Sequence, residues 1–229
     1  MTINNAPPHY INGDEYFQSS VLMTFIIKDD DYFLVLEQRS THISQAGEVC
    51  FPGGRFDATV DLSTKDTAIR ETCEELGVEV SQIKKVRYWG TYIAPMYTLI
   101  DVYIGFLDIN SMPIDDVHSL PINKKEVEKL IVVPYSYFLE HSPLSYEIDN
   151  WSTPYRLSSD EDSKELSIFP TKELGLPSRY HKPWQGKPRQ VYLYPTQDVP
   201  IWGVTANILK QFVQQHPTTN TLFSEVHYE

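Results

Sequence analysis

The sequence predicts an α/β fold, an α/β/α sandwich around a mixed β-sheet. Three observations support this prediction. Runs of branched and aromatic residues, which are typical of strands, recur along most of the 229-residue chain. One helix with clear start and stop signals lies between the early and the later strands. A second, amphipathic helix follows the last strand, so helices are available to cover the sheet.

Two strands come first in the predicted order. Residues 19–40 contain branched and aromatic residues on both sides of an acidic turn, Asp29–Asp31. The stretch GEVCFPGG, residues 47–54, predicts a further short strand. Pro52 and the pair Gly53–Gly54 should end it, because both residue types interrupt a strand ladder.

The central helix follows, over residues 65–76. Ser63 or Thr64 can cap its first turn, and Asp66 stands three residues after Ser63, as in a variant of the capping box. Gly77 should end the helix, because glycine readily adopts the left-handed conformation that follows a last helical turn.

More strands are predicted after this helix. Residues 84–94 and 97–108 form two strand patterns around a turn that contains Pro95. Residues 130–133 predict another strand, and a short helix should begin at Pro134.

The last predicted elements are a strand at residues 190–195 and an amphipathic helix at residues 203–216. Ile208, Phe212 and Val213 lie on one face of this helix and give it an apolar side.

Residues 144–190 differ from the rest of the chain, because they are polar, rich in proline and without apolar periodicity. We therefore expect residues 1–229 to form a single domain in which 144–190 is an insertion or lid-like loop region. A packed surface loop and an arm of a homodimer are the alternatives for this segment.

Composition limits the classes of function. Lys plus Arg number 19 against 31 for Asp plus Glu, which gives a net charge of −12. Such an acidic chain has no electrostatic field suited to duplex DNA or an anionic membrane, so neither partner is expected. Cys50 and Cys73 are too few for a disulfide scaffold, and the first residues lack the features of a signal peptide. These features predict a cytoplasmic protein.

Three glutamates, Glu71, Glu74 and Glu75, crowd one side of the central helix. At about 100° per residue they lie within about 100° of one another, so their carboxylates repel. No lysine lies on this face, and Arg70 is the nearest cation. Mg²⁺ takes about six oxygen ligands and commonly uses carboxylates together with water and substrate phosphate. The pattern favours a metal site that attracts an anionic substrate, and a solvated acidic face is the alternative.

The sequence around these glutamates resembles the Nudix box, G-x(5)-E-x(7)-R-E-U-x-E-E-x-G-U, in which U is apolar. The segment from Gly53 to Val78 ends in RETCEELGV. The residues that match the box in register are Arg70, Glu71, Glu74, Glu75, Gly77 and Val78. The stretch after Gly54 is longer than the pattern, and Leu62 stands where the first box glutamate is expected. Asp57 and Asp61 lie near this position.

The preceding segment, residues 36–54, is similar to a signature of the coenzyme A pyrophosphatase branch of this family, L-x-x-R-S-x-x-L…G-E-V-x-F-P-G-G. The matching residues are Arg39, Ser40, Gly47, Glu48, Val49, Phe51, Pro52, Gly53 and Gly54. Ile43 replaces the leucine, the spacing from Ile43 to Gly47 is one residue short, and the histidine that many members carry before this glycine is absent.

The resemblance implies an α/β/α Nudix fold and hydrolysis of a P–O–P bond with Mg²⁺ or Mn²⁺. Glu71, Glu74 and Glu75 are the expected metal ligands. Glu71, Glu74 and Glu126 are the expected catalytic residues, with Glu126 as the first choice for the general base. A box glutamate that acts through a bound water is the alternative base.

The resemblance also implies contacts to the substrate and supporting residues. The expected substrate contacts are Arg39, Ser40, Gly53, Gly54 and Arg55. Arg70 and Gly77 are expected to be structural, Arg70 by holding a neighbouring carboxylate and Gly77 by ending the helix.

The substrate that the resemblance implies is a small molecule, coenzyme A or one of its thioesters. Its cleavage gives 3′,5′-ADP and 4′-phosphopantetheine or the acylated form. The same chemistry on ADP-ribose, a dinucleotide or a nucleoside triphosphate is the first alternative. A non-catalytic Nudix module that senses a ligand is the second. Such modules typically lose box glutamates, whereas the R-E-x-x-E-E core is complete here.

Overall fold

The computed structural model describes residues 15–29, 31–95, 97–109, 112–156 and 166–218. The chain forms two compact units. The first consists of the described residues up to Pro143 and from Leu193 onward, and the second consists of Leu144–Tyr192. The single domain expected from the sequence stays a prediction.

The first unit contains a mixed sheet, which has seven strands within the described residues. They are β1 (Phe17–Lys28), β2 (Asp31–Arg39), β3 (Val49–Cys50), β4 (Gly53–Arg55), β5 (Ile83–Ala94), β6 (Thr98–Leu107) and β7 (Val127–Pro134). The α-helices are α1 (Thr64–Leu76), α2 (Tyr135–Glu140) and α3 (Gly203–Gln215), and 3₁₀ turns lie at Val80–Gln82 and Ile114–Ser119.

The sheet is mixed because β1 has neighbours of both directions. It pairs antiparallel with β2 across the predicted acidic turn and parallel with β6, from Phe17↔Thr98 to Phe25↔Phe106. β5 and β6 form the antiparallel pair predicted around Pro95. β7 is longer than the predicted strand at 130–133, because β2 offers it backbone partners as far as Arg39.

A short segment fills the space where β1 and β2 separate. We call residues 49–55, which include β3 and β4, the wedge. β3 pairs with β2 at Glu37↔Cys50, and β4 pairs with β1 at Ser20↔Gly54. β6 and β7 occupy the opposite edges of β1 and β2 along these stretches, so both halves of the wedge lie between the two strands.

The wedge corrects one sequence-based expectation. β3 ends before Pro52 as predicted, but the glycine pair does not merely end a strand. Gly53 begins β4, because β1 provides backbone partners for it, and the Leu22 N–H donates to the Pro52 carbonyl at 2.9 Å.

Helices cover both faces of the sheet. Phe25 and Ile26 are consecutive residues of β1 and therefore point to opposite faces. Ile26 packs in a core with Ala68 and Leu76 of α1. On the other face, the ring of Phe25 lies 5.8 Å from the ring of Phe212 in α3, measured between centroids. Burying one large apolar side chain stabilises the fold by about 1.5–3 kcal/mol. The predicted α/β/α sandwich is confirmed.

The later strands are β8 (Leu144–Ile148), β9 (Trp151–Ser152), β10 (Tyr155–Arg156), β11 (Leu166–Ser167), β12 (Trp184–Gln185), β13 (Arg189–Tyr194) and β14 (Ile201–Trp202). Within the second unit β9 pairs with β12 and β10 pairs with β11, both antiparallel. Pairs of two residues leave no alternating pattern, so the sequence gives no signal for them. β8 is longer, and its residues LSYEI alternate between apolar and polar, so the prediction that residues 144–190 lack apolar periodicity is wrong for this strand. Part of the predicted insertion, residues 157–165, lies outside the described residues.

No helix in the part of the chain that the structure describes is both long enough and apolar enough to cross a lipid bilayer.

Candidate active site

Helix α1 carries the glutamates of the site, and its ends lie where the sequence predicts them. Ser63 is the N-cap, and its side chain accepts a hydrogen bond from the Asp66 N–H at 3.3 Å. Gly77 follows the last turn in the left-handed conformation, with φ of 66°, and its N–H donates to the Cys73 carbonyl. The predicted cap and stop are confirmed, and together they fix where each glutamate of α1 lies.

The three glutamates of α1 do not share one environment. Glu75 is 3% exposed, Glu71 is half-buried, and the side chain of Glu74 is 55% exposed. Glu75 stands seven residues after the buried Ala68, which places the two about 20° apart around the helix. The expectation that all three carboxylates crowd one side of the helix is therefore wrong for Glu75, because Glu75 borders the buried stripe whereas Glu74 faces solvent.

The two glycines of the wedge contact the inner glutamates. The Gly53 N–H donates to Glu75 Oε2 at 2.8 Å. A Cβ on Gly54 would lie 2.4 Å from Glu71 Cδ, so a residue with a side chain would displace this carboxylate. Gly53 and Gly54 thus orient Glu75 and leave space for Glu71, while their contact with a substrate stays a prediction.

Glu126 reaches the site from the segment before β7. Ser40, at the end of β2, holds this segment: its hydroxyl donates to the Lys125 carbonyl and its N–H to the Glu126 carbonyl, both at 2.8 Å. The Asn123 N–H donates to the Glu75 carbonyl at 3.0 Å, which ties the same segment to α1. Ser40 is 1% exposed, so its observed contacts support Glu126, and its predicted contact with substrate stays a prediction.

Glu71, Glu75 and Glu126 form the carboxylate cluster of the site. Each offers one oxygen, and these oxygens lie within 4.8 Å of one another. Glu74 is not a member of this group, and its Oε2 lies 3.4 Å from Arg70 Nη1. Three carboxylate oxygens at this spacing suit a hard divalent cation such as Mg²⁺ or Mn²⁺.

Burial and repulsion make the cluster unfavourable without a cation. Burial raises the pKa of Glu75 to about 9, and the nearby charge of Glu37 adds to this, against the hydrogen bond from Gly53. Burial also raises the pKa of Glu71, although Arg70 opposes the shift. The pKa of Glu37 rises to about 7, again chiefly through burial. A divalent cation among these groups would offset both effects, so the residues fit a metal site.

Arg70 links α1 to the preceding loop through Asp61. Its Nε and Nη2 donate to the two Asp61 carboxylate oxygens, each at 2.9 Å, and Nη1 donates to Glu71 Oε1 at 2.8 Å. The Asp61 side chain is 2% exposed, and these hydrogen bonds hold its pKa well below the usual range. Leu62, at the expected position of the first box glutamate, is 98% exposed. The carboxylate beside the box is therefore Asp61, which the sequence pattern indicates only as a neighbour.

Two cavities adjoin the wedge, and together they include the remaining expected substrate contacts. Arg39 and Gly54 help to line one of about 270 Å³. Arg55 and Glu71 help to line another of about 530 Å³. Arg39 Nε donates to the Ser44 carbonyl at 3.0 Å, so the turn that follows β2 fixes its guanidinium. The roles of Arg39 and Arg55 in substrate binding stay predictions.

Comparison with known proteins identifies relatives of this chain. The NUDIX domain family model matches residues 17–190. Nudix hydrolase 3 of Caenorhabditis elegans is 31% identical over 205 residues, which cover 87% of this chain and 73% of that protein. The peroxisomal coenzyme A diphosphatase NUDT7 of Mus musculus is 34% identical over 129 residues, 56% of this chain. The match spans 51%, about half, of the mouse protein.

Among solved structures, the NUDIX domain of Shewanella oneidensis NrtR, in a complex with ADP ribose, is similar with a TM-score of 0.42 and 19% identity. The similarity covers 56% of this chain and 78% of that one. The family model covers well over half of the chain, and the C. elegans relative matches along most of its own length. On this evidence the chain belongs to the Nudix family of hydrolases.

Proposed function

We propose that this chain hydrolyses the diphosphate bond of coenzyme A or a coenzyme A thioester, with Mg²⁺ or Mn²⁺ bound at the carboxylate cluster. The observation that supports metal-dependent chemistry is the convergence of Glu71, Glu75 and Glu126 within 4.8 Å. Coenzyme A as the substrate is supported by the R-S…G-E-V-x-F-P-G-G segment and by the mouse relative, which is named as a coenzyme A diphosphatase. The products are 3′,5′-ADP and a 4′-phosphopantetheine species.

Glu71, Glu75 and Glu126 are the residues that would hold the metal. A divalent cation there supplies positive charge, which stabilises the leaving phosphate and makes water a stronger nucleophile. Arg70 keeps the Glu71 carboxylate oriented by a hydrogen bond of 2.8 Å, and the Gly53 N–H does the same for Glu75. The protein therefore sets the carboxylate positions before any substrate arrives.

Glu126 remains the first choice for the general base, through the carboxylate oxygen that it does not offer to the metal. Ser40 fixes the backbone on which it stands, and its side chain is half-buried beside the cluster. A carboxylate placed there can accept the proton of an attacking water, provided that the water lies within hydrogen-bond distance. Among the box glutamates, Glu74 is the alternative base, because its carboxylate is exposed and lies next to Arg70.

The cavities are suited to the two ends of an asymmetric diphosphate. Arg39 stands beside the smaller cavity and Arg55 beside the larger one, so each can meet an anionic group. The smaller cavity, of about 270 Å³, lies just below the usual range of about 300–1,000 Å³ for whole ligands. It suits one moiety of coenzyme A and not the entire molecule.

Turnover of purified protein with Mg²⁺ or Mn²⁺ tests this proposal. Coenzyme A, dephospho-coenzyme A, ADP-ribose and NADH are compared as substrates, with release of the nucleotide product as the readout. Glu75→Gln removes a buried cluster carboxylate, and Glu128→Gln is the matched control, because Glu128 is exposed and outside the cluster.

We expect coenzyme A to be cleaved best, dephospho-coenzyme A poorly, and Glu75→Gln to lose at least 100-fold in turnover, a transition-state effect of about 2.7 kcal/mol. Preferred cleavage of ADP-ribose or NADH would refute coenzyme A as the substrate but would still support metal-dependent hydrolysis of a diphosphate bond. Absence of turnover on all four by folded, metal-loaded protein would favour a ligand-sensing module. Cytoplasmic location and a homodimer remain predictions that this assay does not address.

A further inference from the structure

Glu37 of β2 is a buried carboxylate that the Nudix motif does not include. The residue is 1% exposed, and its Oε1 accepts a hydrogen bond of 3.5 Å from the Cys50 thiol. Its Oε2 is fully buried and has no hydrogen-bond partner among the described residues. A buried carboxylate oxygen without a partner is costly, so such an atom in a folded protein calls for an explanation.

The strand register places Glu37 next to the carboxylate cluster. It lies opposite Cys50 of the wedge on one side and opposite Leu130 of β7 on the other. Its carboxylate is close enough to the Glu75 carboxylate for the two to share a hydrogen bond when one of them is protonated, and close enough to Arg39 and Glu126 for their charges to act on it. Within the described part of the chain, neither Glu37 nor Glu75 forms an ion pair with lysine or arginine.

We propose that Glu37 supplies a fourth carboxylate to the divalent-metal site, from β2, in addition to Glu71, Glu75 and Glu126. This inference rests on the proposed function in one respect, namely that the cluster binds a divalent cation. It accounts for the unpartnered Oε2, since a cation is the partner that a buried carboxylate lacks here. Four carboxylates from a helix, a strand and a loop also give enough oxygen ligands for more than one ion.

Mn²⁺ binding to the purified protein without substrate tests the role of Glu37 independently of activity. Free Mn²⁺ is measured by electron paramagnetic resonance during titration of the wild type, Glu37→Gln and Glu128→Gln. We expect Glu37→Gln to weaken binding at least 10-fold or to remove one bound ion. Glu128→Gln changes the net charge equally at an exposed position and should stay within about twofold of the wild type.

The amide of Glu37→Gln can still donate a hydrogen bond to Glu75, as a protonated Glu37 would. Unchanged or tighter Mn²⁺ binding by this variant would therefore show that Glu37 only hydrogen bonds to Glu75, and the proposal would be overturned. Glu37→Asp, which keeps the charge but shortens the reach, provides the same test if the first variant does not fold: weaker binding supports the proposal and unchanged binding refutes it. Glu75→Gln tests the metal site separately from the role of Glu37. Intact Mn²⁺ binding in that variant would contradict the proposed metal site itself.

Discussion

Asp61→Asn is the substitution that tests most directly how helix α1 is anchored to the preceding loop. The Asp61 carboxylate accepts two hydrogen bonds from Arg70, at 2.9 Å each, and one from the Thr67 hydroxyl, also at 2.9 Å. Asparagine has one acceptor oxygen instead of two, and its amide group would face donors. The variant therefore loses the negative charge that faces Arg70, and it can no longer accept hydrogen bonds from both Nε and Nη2 of Arg70.

The size of the effect follows from these contacts. A hydrogen bond between charged groups contributes about 1.5–3 kcal/mol, against about 0.5–1.5 kcal/mol for a neutral one. Each of the two hydrogen bonds from Arg70 therefore weakens by about 1–1.5 kcal/mol, so the free energy of unfolding should fall by about 2–3 kcal/mol. Removing the partner of a fully buried charge costs about 3–5 kcal/mol. The lower figure applies here, because Arg70 is 28% exposed and keeps its ion pair with Glu71 at 2.8 Å.

Urea unfolding of wild type and Asp61→Asn, followed by circular dichroism, measures this loss. A change of about 2–3 kcal/mol corresponds to a fall of about 4–12 °C in the melting temperature for a chain of this size. Asp57→Asn is the matched control. Among the described residues the exposed Asp57 carboxylate accepts hydrogen bonds from Thr59 alone, and asparagine can accept them too. A loss below about 0.5 kcal/mol for Asp61→Asn, or an equal loss in the control, would refute the anchoring role.

The ion pair between Asp61 and Arg70 also predicts how the difference in unfolding free energy between wild type and Asp61→Asn depends on pH. The pKa of Asp61 is lowered in the folded state, chiefly by hydrogen bonds from Arg70, so its stabilising contribution is present above the unfolded pKa of about 3.9 and is lost as pH falls further. The gap in unfolding free energy between wild type and Asp61→Asn should therefore be full at neutral pH and shrink in acid. A gap that widens in acid would contradict this assignment.

Three glycine variants test the geometry around α1. Gly54→Ala places a Cβ 2.4 Å from the end of the flexible Glu71 side chain, so Mn²⁺ affinity should fall at least 10-fold while the urea midpoint changes little. In Gly53→Ala the new Cβ would instead lie 2.3 Å from the Ser20 carbonyl oxygen, at φ of +155°, and the variant should lose about 1–3 kcal/mol of unfolding free energy. Equal urea midpoints for these two variants would contradict the prediction that Gly53 meets rigid backbone whereas Gly54 meets a flexible side chain. Gly77→Ala meets the Pro121 carbonyl at 2.2 Å with φ of +66°, so it should be destabilised by a similar amount, and a midpoint within error of wild type would contradict the role of Gly77 as the helix stop.

Local signals in the sequence predicted the elements well. The cap at Ser63, the stop at Gly77 and the antiparallel pairing of β1 with β2 depend on neighbouring residues, and all three are confirmed. The opposite burial of Glu74 and Glu75 was not predicted, because helical periodicity gives the angle between residues but not which angle faces the sheet. The spacing of seven residues between Ala68 and Glu75 is the signal that could have indicated it.

Other parts of the site depend on contacts that no local pattern contains. Asp61 lies in a loop, where no periodicity relates it to Arg70, and counting along the box pattern leads instead to Leu62. Glu37 occupies a strand position that looks like any polar residue in an alternating pattern, and only the pairing of β2 with the wedge places it beside Glu75. The resemblance to a family indicated Glu126 correctly as a neighbour of the box, which composition alone could not have done.

The wedge has a consequence for the tolerance of this chain to changes in length. Its sequence, with Pro52 and two glycines, looks like a surface loop, and loops commonly accept insertions. Here each half is hydrogen-bonded to a different strand of the sheet, so one added residue would shift either Gly53 against Glu75 or Cys50 against Glu37. The positions of the inner carboxylates are therefore fixed by strand pairing in the sheet, and we expect an added or deleted residue to be tolerated outside residues 49–55 but not within them.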